Sequence, residues 1–305
     1  MDEQRVLLDP AFKHKSVLVE EVLEYINPQP GKVYLDVTFG SGGHTRAILE
    51  KEPGCKVIGM DWDTLSFDTH VPPFEAEFGD RFIPVWGNFA HLYKVLKKFN
   101  IGTVDGILAD FGTSQMQIEF RPGFSVYRDK PLDMRMSPSY QKVTAQEVLN
   151  SFPEKELCQI LWDYGQERHA KKIVRAIIEE REKKRFTTSG RLVDLIDRVV
   201  PSAPGKKGIH AATRTFQALR IFINRELDNI HAFLPIAVSI LNPKGRLVCI
   251  SFHSGEDRIV KQFFRDQAEQ DIGTVLTKRV VIPQEKEIYE NRASRSSKLR
   301  AFEKF

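Results

Sequence analysis

The chain has 305 residues, 41% hydrophobic and 28% charged, with a net charge of +4 at pH 7, enough for one large domain and one small one in an ordinary globular enzyme. No apolar run approaches the ~18 residues of a membrane span, and the start, Met1 to Arg5, has neither signal-peptide nor transit-peptide character. Cys55, Cys158 and Cys249 are odd in number and far apart, which excludes a disulfide frame or CxxC metal site and favours a reducing compartment, while the mild positive charge permits a polyanionic partner without requiring one.

Strands and helices alternate at first. Lys32–Val37 reads as a strand, His44–Lys51 as a helix, and Lys56–Met60 as a second strand ending in Asp61. Arg81–Val85 is a third strand, followed by a helix over His91–Phe99. Val104–Ala109 is a fourth, ending in Asp110. Strands separated by helical patterns predict a parallel sheet. From about Phe120 to Gly208 the sequence turns to helices and turns without a convincing strand. Thr144 to Glu147 and Ser151 to Glu154 both read as capping boxes. Leu157, Ile160, Leu161 and Tyr164 share one helical face, as do Leu192, Leu195, Ile196 and Val199. Pro204–Gly208 breaks the run. A long helix follows from about Thr213, then a turn over Leu241–Gly245 and a strand over Arg246–Phe252. The segmentation predicts a helical domain, 120–208, inserted into an α/β domain built from 1–119 and 209–305.

Gly40, Gly42 and Gly43 stand where the first strand hands over to the first helix. Glycine lets a backbone approach a ligand closely, and a helix start offers free N–H groups. The spacing is G-x-G-G, not the dinucleotide G-x-G-x-x-G. With Asp36 four residues ahead it matches D-x-x-x-G-x-G, the usual first motif of S-adenosylmethionine (SAM) methyltransferases. Asp61, at the end of strand two, is placed to accept both hydroxyls of a ribose. On these residues alone a nicotinamide cofactor is the rival. Asp110, at the end of strand four, lies where open α/β sheets bind ligands. Amino-group methyltransferases commonly carry N/D-P-P-aromatic there, whereas this chain reads Asp110-Phe111-Gly112-Thr113-Ser114, without the prolines.

Six stretches together are more specific: TFGSGGHTRAIL (38–49), DGILADFGTSQMQ (105–117), RPGFSVYRDKPLDMRM (121–136), ATRTFQALRIFINREL (212–227), GRLVCISFHSGEDRIVK (245–261) and NRASRSSKLR (291–300). In this order they resemble the bacterial small-subunit rRNA methyltransferase family RsmH, also called MraW, from His14 to Arg300. The resemblance implies a Rossmann-like, class I SAM-dependent methyltransferase domain with a small all-helical insert for substrate recognition. It implies methyl transfer to the exocyclic amine of a cytidine in the decoding centre of 16S rRNA. The implied cofactor residues are Gly42, Gly43, His44, Asp61, Phe89, Asp110 and Gln117, with Phe89 lying against adenine. Where the family has Ser, Asp, Asp and Leu, this chain has Gln115, Glu119, Ser137 and Gly255.

Cytosine's amine is a weak nucleophile because its lone pair is delocalised into the ring. Asp110 is the candidate catalytic acceptor for the amine hydrogens, with binding of the cofactor's methionine part as its other reading. Candidate substrate contacts are Phe111, Asp133, Arg135, Arg220, Asn224 and His253, with Phe124 and Tyr127 as further stacking candidates. Lys206 and Lys207, with Arg292, Arg295, Lys298 and Arg300, are favoured as phosphate contacts. The basic run Lys171 to Arg185 reads instead as a solvated face. A lone histidine is not a metal site, and nothing in the sequence has zinc spacing. The expected partner is small-subunit rRNA or the assembled subunit, in the cytoplasm.

Overall fold

The computed structural model describes residues 15–200 and 210–305. Lys206 and Lys207, the predicted break at 204–208, and the first fourteen residues lie outside them. The chain divides into two compact units, Met1–Gly112 with Leu227–Phe305, and Thr113–Glu226.

The first unit opens with α1 (Val19–Ile26), β1 (Val33–Asp36), α2 (Gly43–Lys51) and β2 (Lys56–Asp61). It continues through α3 (Thr64–Phe78), β3 (Phe82–Trp86), α4 (Leu92–Lys98) and β4 (Val104–Asp110). The four predicted strands and two predicted helices are therefore present, with ends shifted by a residue or so. α3 was not foreseen, because Pro72 and Pro73 lie inside it and a proline removes a helix donor and crowds the preceding turn. Burial outweighs that cost. Asp63 caps α3 by accepting from the Leu65 N–H at 3.1 Å. Phe74 packs 5.0 Å from Phe39 and 5.3 Å from Phe82, ring centre to ring centre.

The second unit holds α5 (Gln115–Phe120), α6 (Ala145–Ser151), α7 (Glu154–Gly165), α8 (Ala170–Lys183), α9 (Ser189–Val199) and α10 (Thr213–Asn224). The chain then runs through α11 (Glu226–Ile240), β5 (Leu241–Ser251), α12 (Ser254–Glu269), β6 (Gly273–Val275), α13 (Glu285–Glu290) and β7 (Lys298–Lys304). Strand order among the described residues is β3-β2-β1-β4-β5-β7-β6. β1 to β5 are mutually parallel, and β7 is antiparallel to both its neighbours.

Alternation along the strands explains the layers. Leu35, Ile58, Ile107 and Cys249 face one core with Leu92 and Leu96 of α4, Phe233 and Leu234 of α11, and Val260 and Phe264 of α12. Tyr34, Val57, Leu108 and Val248 face the other, with Val22 and Ile26 of α1, Ile48 and Leu49 of α2, and Val71 and Phe74 of α3. A sheet covered on both faces needs near-continuous apolar strands, which is how they read. β5 starts earlier than expected. Its first residues, read as a turn, form an irregular start in which register jumps from Val104–Leu241 to Gly106–Arg246, with Lys244 at φ 64°.

The insert has its own core, including Leu132, Val148, Leu157, Leu161, Ile173, Leu192, Ile196, Phe216 and Leu219. Its bounds differ from the predicted 120–208, because α10 packs on α7: a Cβ on Gly165 would lie 3.0 Å from that of Ala218. The helical spacing of 213–224 therefore serves this core. Thr144 and Glu147 form the expected capping box. Ser151 and Glu154 do not. Ser151 is the last residue of α6 and donates back to the Glu147 carbonyl at 2.6 Å, while Pro153 occupies the N-cap of α7.

Candidate active site

Three carboxylates end parallel strands: Asp36 on β1, Asp61 on β2 and Asp110 on β4. Parallel strands put all three at the carboxyl edge of the sheet, where the chain crosses into helices and ligands bind. The turn after β1 is held by its neighbours. Gly40 and Gly42 adopt φ of 54° and 79°, a region open to glycine and strained for other residues. A Cβ on Gly42 would overlap the Phe74 ring and stand 2.8 Å from Phe39. Ser66 donates to the Gly40 carbonyl at 2.7 Å.

Asp61 braces this turn. Its Oδ2 accepts from the Gly40 N–H at 2.7 Å and its Oδ1 from the Asp63 N–H at 2.9 Å. Burial pushes its carboxyl up to about 7, against the pull of these two N–H groups. A carboxylate has about four acceptor sites, so capacity remains for two hydroxyls. Phe89 opens a short 3-10 turn capped by Asn88, whose side chain accepts from the Ala90 N–H at 2.8 Å.

Asp36 is fully enclosed. It accepts from the Thr38 N–H at 3.1 Å and the Thr45 hydroxyl at 2.8 Å. Burial raises its carboxyl, with His44 and these hydrogen bonds opposing. Thr38 also ties β1 to β4, its hydroxyl accepting from the Asp110 N–H at 2.7 Å. His44, buried at the start of α2, sets Nε2 3.6 Å from Asp110 Oδ2. Neither His44 ring nitrogen nor Asp110 Oδ1 has a hydrogen-bond partner among the described residues. Buried polar atoms left unpaired at the open edge of a sheet are what an unfilled recognition site offers. The glycine turn, the Asp61 acceptor and the Asp110 oxygen fit the three parts of an S-adenosyl amino acid: close backbone approach, ribose and amine.

The other predicted residues are placed otherwise. Phe111 is 2% exposed, with ring centres 5.8 Å from Phe89 and 6.1 Å from Phe233. It is core, so its expected contact with the target base is corrected. His253 is the N-cap of α12, its Nδ1 accepting from the Glu256 N–H at 3.4 Å. That makes it part of a helix start.

In the insert, Gln117 completes the capping box of α5, its Oε1 accepting from the Ser114 N–H at 3.2 Å. Asp133 and Arg135 pair with each other at 2.7 and 2.8 Å. Arg220 grips Glu226 at 2.8 and 2.9 Å and donates to the Thr113 hydroxyl at 2.9 Å. Asn224 is fully buried; its Oδ1 accepts from the Met136 N–H, and its Nδ2 donates to the Met134 and Arg220 carbonyls. Its role is to hold the loop around Met134 (φ 63°) onto α10, so the expected base contact by Asn224 is corrected too. Tyr127 is 80% exposed, whereas Phe124 packs against the insert core.

Two basic groups of the insert are structural. Arg181 donates to the Leu149 and Phe152 carbonyls at 3.2 and 2.7 Å. Arg191 donates to the Lys184 carbonyl at 2.9 Å and lies over the Phe186 ring. In the tail, Arg300 pairs with Asp257 at 2.7 Å, so its charge is largely spent within the first unit. Arg292 and Arg295 are exposed.

Sequence reasoning missed Thr38, Thr45 and Ser66. Hydroxyls in TFGSGGHT and after Asp63 carry no periodic signal, and only the fold shows which carboxylate each one reaches.

A sheet in this order, with its last long strand reversed, a glycine turn after β1 and an acid ending β2, defines a Rossmann-like class I methyltransferase, whose methyl donor is SAM. The family model that matches residues 11–305 is that of the MraW methylase family. The chain belongs to that family. It is 44% identical to the ribosomal RNA small subunit methyltransferase H of Carboxydothermus hydrogenoformans, covering 96% of this chain and 98% of that one. It is 45% identical to the protein of the same name from Coprothermobacter proteolyticus, covering 96% of each. That of Heliobacterium modesticaldum is 42% identical, covering 96% and 99%. Among the described residues no helix is long and apolar enough to cross a membrane.

Proposed function

We propose that this chain methylates the exocyclic amine of a cytidine in the decoding centre of small-subunit rRNA, acting in the cytoplasm on the rRNA or the assembled subunit. The observation that carries this reading is the near full-length likeness to three proteins named ribosomal RNA small subunit methyltransferase H. Asp110 Oδ1, buried at the carboxyl edge of β4 and without a partner among the described residues, supports a hydrogen-bond donor such as an amine as the group recognised.

SAM supplies an electrophilic methyl group on a sulfonium centre. The chain's work is recognition and alignment. Gly42 and Gly43 let the backbone come close, and the Asp61 carboxylate accepts the ribose hydroxyls. Phe89 presents an apolar ring suited to an adenine face. Asp110 accepts from an amine hydrogen, either of the cofactor's amino acid part or of the target base. In the second case its charge stabilises the positive charge that develops on the amine as the bond forms. Holding amine and methyl group in line can supply as much as ~7–11 kcal/mol of the barrier reduction. A general base is not needed for the transfer itself, since the proton can leave after the bond has formed.

The helical unit 113–226 is the proposed substrate domain, with Gln117, Asp133, Arg135 and Arg220 among its family-matched residues. The exposed ring of Tyr127 is suited to stacking on an unpaired base. The test is methyl transfer from labelled SAM to assembled small subunits and to naked rRNA. Label in either RNA supports the reading; label in neither, with an active cofactor site, removes it.

A further inference from the structure

We infer that His44 is a positioning residue for Asp110: its Nε2 engages Oδ2 of that carboxylate and so fixes the orientation in which the carboxylate meets an amine. This rests on the methyltransferase reading and deepens it, since family likeness marks His44 only as a cofactor contact.

Both side chains have unmet hydrogen-bonding capacity among the described residues. His44 Nε2 and Asp110 Oδ2 face each other at 3.6 Å, longer than a hydrogen bond and short enough for a small side-chain rotation to make one. Asp110 has its backbone N–H tied to Thr38, so its main chain is fixed while its carboxylate stays unbound. Oδ1 is buried and without a partner among the described residues. A carboxylate held by neither oxygen can rotate about χ2 with little cost. One clamped at Oδ2 is held in one orientation, which is what electrostatic preorganisation requires. The imidazole is buried and carried on a braced helix start. It sits on the second residue of α2, next to Gly43 and to Thr45, and Thr45 donates to Asp36 at 2.8 Å. Of the two strand-end carboxylates on β1 and β4, Asp36 is 1% exposed and Asp110 is the more accessible, its side chain 18% exposed.

A double-mutant cycle tests this, with two readouts: affinity for S-adenosylhomocysteine by calorimetry, and single-turnover methyl transfer at saturating SAM. Asp110→Asn defines which of the two quantities Asp110 controls. His44→Ala should lower that same quantity, by about tenfold or more. In the Asp110→Asn background it should add less than about threefold, because coupled residues are not additive. His44→Gln, whose amide nitrogen takes the place of Nε2, should recover to within about threefold of wild type. His44→Asn, whose amide takes the place of Nδ1, should not. Losses that multiply in the double variant overturn the inference, as does equal behaviour of the Gln and Asn variants. If His44→Ala does not fold, the Gln and Asn pair decides alone. Wild-type protein that fails to bind S-adenosylhomocysteine would contradict the methyltransferase reading instead.

Discussion

Asp61 sits at the end of β2 with its carboxyl raised to about 7, chiefly by burial. Ribose hydroxyls donating to it favour the ionised form, so its pKa in the complex lies below that of the free protein. Affinity for SAM should therefore rise with pH up to about 7 and level off above it, by up to about tenfold from pH ~6 to pH ~8. Asp61→Asn should flatten that profile and weaken binding at pH ~8 at least about tenfold, the loss of a charge-assisted hydrogen bond. Calorimetry at both pH values checks this, and a flat wild-type profile would take Asp61 out of the ribose site. The same shift acts on the free protein with its own sign. The folded value lies above the ordinary 3.8, so the stability Asp61 contributes is fully present below 3.8 and lost as pH rises through about 7. At this scale the sequence disclosed the strand-end acids, because each follows an apolar run. It did not disclose that Phe111 is core or that His253 is a cap, since one aromatic or one histidine past a strand looks the same in either role.

Elements were legible where periodicity was undisturbed. The apolar runs of β1 to β4 announced themselves, and so did the spacing of α7 and α9. α3 was hidden by Pro72 and Pro73, and the irregular start of β5 by its Asn-Pro-Lys-Gly sequence. The capping signal at Ser151 misled because the same hydroxyl can close the helix before it. Among the insert's elements, α10 has a second task. Its buried Asn224 holds the loop through Met134 and Met136, a link that spacing alone could not separate from a base contact. Asn224→Ala would leave a buried N–H and two carbonyls with one partner fewer, at roughly 1–3 kcal/mol for each group left unsatisfied. The insert should unfold at lower denaturant concentration and rRNA methylation should fall, while affinity for SAM changes less than about threefold, since the cradle of Gly42, Asp61 and Asp110 is in the other unit. Unchanged unfolding would show that the loop does not depend on Asn224.

For the whole molecule, separate cores in the two units imply separable tasks. Replacing 113–226 with a short linker should leave a protein that binds SAM within about tenfold of wild type. It should transfer no methyl group to RNA. Normal transfer by that protein would show that the insert is not the substrate domain. The proposed activity turns on which group is methylated, and identification of the labelled nucleoside after digestion of small-subunit rRNA decides it. The expected product is cytidine carrying the methyl group on its exocyclic amine, formed at least about tenfold more slowly when Asp61→Asn or Asp110→Asn protein is used at SAM concentrations below the wild-type dissociation constant. Label on a ring carbon, on a ribose hydroxyl or on another base would contradict it.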